Sequence, residues 1–470
     1  MASSIAAPLQ RFSRRIPLIV AAAFFMETLD GTIVTTALPA MAADLHRSAL
    51  DMTSSVSIYL MAVAVFIPAA GWASDRFGSR WLFASAVGVF TLASLLCALS
   101  PSATFLFAAR GLQGIAAAFM SPVGRLVVLR ETPKQYLIEA IAIITWPALV
   151  GPVVGPPLAG IIVTYVSWRW IFLLNLPIGL AGLFLVLRYV PNHRDDASPG
   201  FDVLGFLLTG AALTVLIAGL GSATAAGLNV QTMVIAVLVG GALALGSIWH
   251  AMRQRTPMLD LSLGRVPTFS LSTLTAGMVS RVAIGATPFL LPLMFQLGFG
   301  TSAIQAGVLL LVYMLGNLGM KSITTPLLHR FGFRPVLLVN GYACAAAIAG
   351  CGFLTPSTDR VVLYGVLLLA GMTRSMHLTA SSTLAFADIS PSQRAGASTL
   401  ASMMIQLSFT LGVTFGAGAL AVSERWRGTQ LVSALDFQRA FLAAGVAMAL
   451  ATTWTLRLPS GAGAELAGRA

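Results

Sequence analysis

Residues 76–80 read RFGSR, and residues 330–334 read RFGFR. Both copies directly follow a long apolar segment, and the second copy comes eight predicted membrane spans after the first. Folds of membrane transporters are commonly built from such repeats, and the substrate site then lies near the bilayer midplane where the repeats meet. Because eight is six plus two, the offset predicts two related six-span halves with two further spans between them.

The composition identifies an integral membrane protein. Hydrophobic residues make up 57% of the 470 residues and charged residues only 9%, with a mean hydropathy of +0.87, whereas a soluble domain carries about 25% charged residues. The apolar runs are unbroken, as a spanning helix requires, which excludes the alternating strands of a membrane β-barrel. We therefore predict an all-α membrane protein with fourteen transmembrane helices. They lie at residues 16–40, 53–73, 81–100, 104–129, 138–164, 170–190, 203–222, 230–251, 269–295, 303–323, 335–354, 361–386, 396–421 and 438–457.

These helices are predicted to form three parts. Residues 1–190 would be an N-terminal six-helix bundle, 191–265 a linker with two extra transmembrane helices, and 266–470 a C-terminal six-helix bundle. The first apolar run carries Glu27 and Asp30 and is too long for a cleaved signal peptide, so we interpret it as a retained span.

The formal net charge of +12 could suggest nucleic acid as a partner, but the distribution of the arginines argues against it. They occur singly or in pairs at the ends of spans, without a basic run with interleaved aromatic residues. Eighteen Lys and Arg belong to the alternate segments that include the amino terminus, and six belong to the others. By the positive-inside rule, this excess predicts that both termini are cytoplasmic.

Six charged side chains lie inside predicted spans: Glu27, Asp30, Arg110, Arg281, Lys321 and Arg374. A charge at the bilayer centre costs about 2.5–3.5 kcal/mol on insertion scales, so it usually faces a bundle interior or a wet cavity and marks an ion or substrate path. The three cysteines occupy apolar stretches, and the five histidines show no metal-ligand spacing. We see no nucleophile–base set and no P-loop, so we expect a transporter rather than an enzyme, without a metal or a cofactor.

The loop after the second span resembles the signature loop of the major facilitator superfamily. Its glycines permit tight turns, and its Asp and Arg side chains could exchange salt bridges as the two halves move. The plainer alternative is a positive-inside anchor. The second copy has His329 where the first has Asp75, so we expect a weaker second gate. The candidate gating residues here are Gly71, Asp75, Arg76, Gly78 and Arg80.

Span five reads GPVVGPPLAG at residues 151–160. It resembles the antiporter signature of this superfamily, which occurs mainly in exporters, although close helix packing by glycine is an alternative role. Residues 29–39 and 168–177 resemble the fourteen-span drug:proton antiporter (DHA2) branch, and residues 122–126 and 319–321 look most like its MdtD group. The candidate conformational residues of span five are Gly151, Pro152, Gly155, Pro156 and Gly160.

Glu27, Asp30 and Arg110 form the candidate proton-coupling set. The two carboxylates are spaced i,i+3 and share a helix face, so they could hold one proton between them. The family resemblance implicates the arginine matching Arg110 in proton coupling. Two alternatives remain open: Arg110 caps backbone carbonyls, or it pairs with the carboxylates for structural reasons.

The candidate substrate-binding residues are Arg281, Lys321, Arg374, His377 and Gln113. The last six spans carry no acidic residue at their centres, so buried positive charge there needs an anion, backbone carbonyls or water. A carboxylate or phosphate on the substrate would satisfy it, since Arg binds such groups bidentately. The alternatives are helix-end carbonyls, or Glu27 and Asp30 across the cavity.

Together, residues and resemblance predict a proton-coupled efflux transporter that exports small organic molecules by alternating access. Its substrate would be an anionic metabolite, such as a carboxylate or a metal chelate. The alternatives are broad export of lipophilic cations and facilitated uptake of a metabolite. We expect protons, a small-molecule substrate and the lipid bilayer as partners, a functional monomer, and a location in the bacterial cytoplasmic (inner) membrane.

Overall fold

A computed structural model describes residues 13–133, 136–194, 200–225, 230–254, 257–390, 393–428, 432–459 and 461–466. Across these ranges it contains helices and no strand. Thirteen helices are each long and apolar enough to cross a membrane, and one bent pair of helices supplies a fourteenth span. The predicted number of spans and the all-α class are therefore confirmed.

The first seven spans are α1 (Arg15–Asp44), α2 (Ala49–Phe77), α3 (Ser79–Ala98), α4 (Ala103–Glu131), α5 (Leu137–Tyr165), α6 (Trp170–Tyr189) and α7 (Val203–Ala225). The others are α8 (Val230–Arg253), α9 (Pro267–Gly298), α10 (Ala303–Gly319 followed by Lys321–Phe331), α11 (Phe333–Cys351), α12 (Arg360–Leu384), α13 (Arg394–Arg427) and α14 (Ala434–Trp454).

Helices α10 and α9 are among the spans that depart from regular helical geometry. The predicted tenth span continued without interruption to residue 323, but α10 bends by 41° at Met320. Gly319 at this point has a low helix propensity, and only packing against neighbouring helices decides whether such a site bends. Helix α9 carries a π-helical turn near each end, at Ser270–Leu274 and Met294–Gly298.

The two copies of the loop motif make equivalent contacts. Gly78 and Gly332 have φ angles of +89° and +80°, a region that favours glycine. Arg80, at the start of α3, donates a hydrogen bond to the carbonyl of Leu187 near the end of α6. Arg334, at the start of α11, donates to the carbonyl of Leu456 just after α14, at 3.1 Å. The equivalence supports the predicted repeat, while the three-part division of the chain stays a prediction.

We expect Gly78→Ala to lower the free energy of unfolding by about 1–3 kcal/mol, the usual cost of a residue in a disallowed backbone region. Its Cβ would also meet the side chain of Asn192. Thermal unfolding of the purified protein in detergent measures the change. Gly88→Ala on α3 is the control, because its Cβ would lie 3.7 Å from Leu183 in ordinary contact. Equal stability of the two variants would contradict the prediction.

The halves meet mainly through two helix pairs. Helix α5 packs against α10, and α2 packs against α13. Each pair joins the second helix of one half to the fifth helix of the other, as a repeat-related arrangement requires. Within the halves, α1 packs mainly on α5 and α9 mainly on α13.

The apolar cores of the two halves merge at one end of the bundle and are separate at the other. At the end where α1 and α9 finish, which we call the closed end, Ile33 and Leu38 share one buried cluster with Phe289 and Phe295. Toward the other end, each half has clusters of its own. Apolar burial therefore holds the halves together most strongly at the closed end.

The two inserted helices lie against the seam between α2 and α13. On α7, Leu213 and Ile217 pack with Leu407 of α13 and with Met61 and Val65 of α2. Helix α8 contacts mainly α7, and few of its residues are buried. Helix α7 therefore covers a seam between the halves, and α8 forms an outer layer.

Asp202 fixes the start of α7. Its carboxylate accepts hydrogen bonds from the backbone N–H groups of Gly205 and Met258 and from His250 Nε2, at 2.9, 3.2 and 2.8 Å. Burial alone would raise the pKa of Asp202, but these hydrogen bonds outweigh it and hold the pKa below its usual range. The ionised carboxylate thus ties α7 to the end of α8 and to the segment that follows.

Candidate functional site

Asp30 on α1 and Arg110 on α4 form a buried ion pair inside the first half. Arg110 Nη1 lies 2.5 Å from Asp30 Oδ2, and the two side chains are 1% and 0% exposed. Arg110 Nε also donates to the carbonyl of Ser55 on α2, at 3.2 Å. Its guanidinium lies over the ring of Tyr59, with a centroid distance of 4.2 Å. Both charges are therefore buried away from water. The energetic cost of burying them is offset only because the two groups pair closely.

Uncharged polar groups complete this network. Gln113 Nε2 donates to Asp30 Oδ1 at 2.9 Å, and Asn175 Nδ2 on α6 donates to the same oxygen at 3.1 Å. Ser94 Oγ on α3 accepts from both amides, at 2.8 and 3.2 Å. Gln113 Oε1 in turn lies 2.5 Å from Arg110 Nη1. Gln113 thus belongs to the surroundings of Asp30, whereas its predicted role was substrate binding.

Glu27 has separate surroundings. Its Oε2 accepts a hydrogen bond of 2.7 Å from Ser121 Oγ on α4 and interacts electrostatically with Arg125, one turn further along that helix. Asp30, by contrast, makes its hydrogen bonds to Arg110, Gln113 and Asn175. The two carboxylates are close enough to influence each other, but each has its own hydrogen-bond partners.

A cavity of about 220 Å³ lies between the halves, toward the middle of the spans. The first half contributes Thr32 and Thr35 from α1 and Pro152 from α5, and the second half contributes Asn317 from α10 and Arg374 from α12. The remaining lining residues are small or apolar: Gly31, Val56, Leu60, Gly285, Pro288, Phe289, Leu310, Met314, Phe409 and Val413. This central cavity occupies the position in which a repeat-based transporter binds its substrate.

Arg374 is the charged residue in the lining of the central cavity. Its guanidinium lies 5.7 Å from the ring centroid of Tyr313, and Nη1 lies 4.0 Å from Met314 Sδ. Lys321, at the bend of α10, donates to Thr379 Oγ1 at 3.1 Å and is close enough to Arg374 to interact electrostatically. Within the described ranges, neither cation has a carboxylate within 4.0 Å. This side of the central cavity therefore carries uncompensated positive charge.

Arg281 and His377 lie apart from the central cavity's lining. Arg281 on α9 donates to the carbonyl of Ser272 at 2.8 Å, within the π-helical turn, and lies 3.4 Å from Ser381 Oγ. His377 on α12 is 4% exposed and interacts electrostatically with Arg281. The structure thus divides the predicted substrate set into cavity-lining Arg374 with nearby Lys321, buried Arg281 with His377, and Gln113 in the first half.

The predicted span-five residues pack α5 against both halves. A Cβ on Gly151 or Gly155 would meet Thr28 or Thr32 of α1, and one on Gly160 would lie 2.6 Å from the carbonyl oxygen of Ala303 on α10. A Cβ on Gly307 of α10 would in turn lie 2.4 Å from the carbonyl oxygen of Pro156. The glycines therefore allow the close contact between α5 and α10 at the closed end.

The loop residues lie at the opposite end of the bundle. Asp75 pairs with Arg130 at the end of α4, at 2.9 Å, whereas the exchange of salt bridges with the arginines of the loop stays a prediction. Arg76 and Gly71 are exposed on α2, and Gly78 and Arg80 form the turn described above. Sequence reasoning gave no role to Ser94, Asn175 and Asn317. The signal for these three was only that a polar residue occurs in an apolar span.

Comparisons with known proteins agree with this architecture. The family model described as Major Facilitator Superfamily matches residues 20–413 and 273–469. A protein of Pectobacterium carotovorum is 39% identical over 397 residues, covering 84% of each chain, and one of Serratia proteamaculans is 38% identical over 403 residues, covering 84% of this chain and 83% of its own. Both carry the provisional name multidrug resistance protein MdtD.

Solved structures share the fold at low sequence identity. A D-xylose-proton symporter is similar with a TM-score of 0.65 at 14% identity, covering 96% of this chain and 98% of its own. The nucleoside transporter NupG gives a TM-score of 0.65 at 14% identity, with coverages of 95% and 100%.

These matches define a multi-pass membrane transporter rather than an enzyme. The chain belongs to the major facilitator superfamily. The predicted resemblance to MdtD proteins is confirmed by the identity of 38–39% over most of the chain.

Proposed function

We propose that the protein is a proton-coupled exporter that works by alternating access. The observation that carries the proposal is the buried Asp30–Arg110 pair, whose hydrogen-bond partners come from α2, α4 and α6 of the same half. An isolated buried pair contributes little to stability compared with apolar side chains of similar volume. A role in proton transfer would explain why the protein keeps this energetically costly ion pair.

The network can accept a proton without leaving Arg110 unsatisfied. When Asp30 is protonated, its attraction for the guanidinium weakens, but Gln113 Oε1 and the carbonyl of Ser55 remain as acceptors for Arg110. The positive charge is then no longer balanced, which changes the packing preference between α1, α2 and α4. Protonation thereby favours one arrangement of the first half over another, which is the form of coupling that alternating access requires.

Export is the proposed direction of transport, and it rests on the proposed orientation together with the names of the relatives. The charge distribution favours cytoplasmic termini, and the closed end then faces the outside, so the central cavity would take substrate from the cytoplasm. The relatives named for multidrug resistance support this direction, as does the close contact of the span-five glycines with α10. Glu27, which is partly exposed and lies one helical turn nearer the cytoplasmic end of α1 than Asp30, is the proposed exit point for the proton from Asp30.

We propose a substrate that carries an anionic group and an apolar body. Arg374, with Lys321 nearby, would bind the anion, since neither has a carboxylate partner in the described ranges. The apolar lining, including Phe289 and Phe409, would bind the rest. A second candidate is a lipophilic cation, favoured by the same apolar lining and by the names of the relatives.

Transport measured in proteoliposomes tests the coupling to protons, and ligand binding to the purified protein tests the substrate class. Uphill movement of a substrate should require an imposed pH gradient; movement that ignores the gradient indicates facilitated transport instead. Citrate and ethidium serve as the anionic and cationic probes in calorimetric titrations of the purified protein. Arg374→Gln should weaken citrate binding about 10- to 100-fold, the loss expected for a charge-assisted hydrogen bond, and should not weaken ethidium binding, because it removes a positive charge from the cavity.

The matched control is Arg360→Gln, which removes an exposed arginine at the start of the same helix and should leave both affinities unchanged. Unchanged citrate binding by Arg374→Gln would reject the anion site. Binding of ethidium without citrate would favour the lipophilic cation, and binding of neither would reject both substrate classes.

A further inference from the structure

A second cavity opens sideways between the inserted helices and the second half. It has a volume of about 670 Å³ and is lined by Leu220 of α7, Met233 of α8, Val282 of α9, Phe415 of α13 and Ala443 of α14. We call it the lateral groove. Helix α13 separates it from the central cavity, since Phe409 and Val413 line the central cavity and Phe415 and Ala419 line the groove.

The lateral groove has the length of one lipid leaflet. It follows α13 from Leu411 to Trp426, roughly 22 Å at the rise of an α-helix. Half of a bilayer with its headgroups measures about 20–22 Å. Apart from Thr414, the groove is apolar along this path, as hydrocarbon chains require, until its polar mouth at the closed end of the bundle.

The polar mouth of the groove carries an arginine without an acidic partner. Arg439 donates to Ser423 Oγ at 3.0 Å, and both residues line the groove. Across the described ranges, no carboxylate lies within 4.0 Å of Arg439, because neighbouring Asp436 pairs with Arg427 instead. Trp426, 81% exposed, stands beside this mouth. An exposed Trp at the end of a span is typical of the headgroup level of a membrane, which places Arg439 at that level too.

We infer that the lateral groove binds an anionic phospholipid, with an acyl chain along α13 and the phosphate on Arg439. An arginine can bind two phosphate oxygens at once, and a basic residue near the surface selects anionic over zwitterionic lipid. The acyl chain would also fill the space between α8 and the second half. Bound lipid would thus add a contact between the two inserted helices and α14.

Brominated lipids test this inference, because bromine quenches nearby tryptophan fluorescence. The protein is reconstituted in phosphatidylcholine with increasing fractions of acyl-brominated phosphatidylglycerol, or of brominated phosphatidylcholine as the reference. Subtracting the signal of Trp426→Phe isolates the quenching of Trp426. We expect brominated phosphatidylglycerol to reach half-quenching at about fivefold lower fraction than the reference, the preference that one basic residue supplies.

Arg439→Gln should abolish this preference, and Arg439→Lys should retain most of it. The pair of variants distinguishes the effect of losing the charge from the effect of a folding defect. Arg360→Gln removes an exposed arginine from the same end of the protein, away from the groove, and should have no effect. A preference that survives Arg439→Gln, or equal quenching by both lipids in the wild type, overturns the anionic site. Relief of quenching by ethidium would show a lipophilic solute in the groove and overturn the lipid assignment.

Discussion

Asp30→Asn should abolish transport driven by a pH gradient and lower the free energy of unfolding by about 3–5 kcal/mol. Removing one member of a buried ion pair leaves the other charge without a counter-charge, even where neutral hydrogen-bond acceptors remain, and that cost is large. Here Arg110 is 1% exposed and cannot reach water. The side chain of Asn cannot take up a proton, so the variant loses the coupling step as well. Thermal unfolding and gradient-driven transport in proteoliposomes measure the two effects separately.

The double variant Asp30→Leu/Arg110→Met separates stability from coupling. Apolar side chains of similar volume often replace a buried pair without loss of stability, so this protein should regain most of the lost free energy and remain uncoupled. Glu27→Gln is the control for stability, since it removes a carboxylate of the same helix outside the Asp30 network and should destabilise far less. Gradient-driven transport by Asp30→Asn at the wild-type rate would disprove the proposed role of Asp30.

Gly160→Leu should shift the protein away from the state described here, in which α5 and α10 are in contact at the closed end. Even the first carbon of the new side chain would lie 2.6 Å from the carbonyl oxygen of Ala303. Overpacking of this kind costs about 1–3 kcal/mol, which corresponds to roughly a 5- to 150-fold change in population. The clash exists only when α5 and α10 are in contact, so the population with an open closed end should rise. Net transport should then fall by more than tenfold.

Spin-label distances between the ends of α5 and α10 report the population directly. Gly365→Leu is the matched control, because Gly365 is an exposed position of α12 where an added Cβ would meet nothing within 4 Å. It should change neither the distance distribution nor the rate. An unchanged distance distribution in Gly160→Leu would show that the contact between α5 and α10 does not hold the closed end together.

The fold could be predicted from the sequence because the patterns that indicate it, apolar runs and a short loop motif, are local. Fourteen apolar runs and the two loop copies determine the span number and the repeat, and both survive uncertainty in helix boundaries. The bend of α10 at Met320 was not predictable, because Gly319 permits a bend but does not require one. The decisive forces there come from helices that are distant in sequence.

The sequence predicted which residues belong to the candidate site, but it did not predict which of them contact one another. Spacing on α1 placed Glu27 and Asp30 on one face, but the register of α4 decides that one meets Ser121 and the other Arg110. Gln113 was grouped with the substrate residues, whereas it lies one helical turn from Arg110 and bonds to Asp30. A charge count grouped Arg281 with Arg374, and only the packing of α9 and α12 separates them.

The merged apolar core at the closed end also acts as an electrical insulator. With the proposed orientation, and with water filling the central cavity from the cytoplasm, most of the transmembrane voltage would fall across this short layer instead of the whole membrane thickness. A voltage of 100 mV is worth about 2.3 kcal/mol for each elementary charge that crosses the full drop. The ionised Asp30–Arg110 pair has no net charge, but a proton on Asp30 gives it one positive charge. We therefore expect the resting voltage of the cell, and not only its pH difference, to bias the direction of the transport cycle.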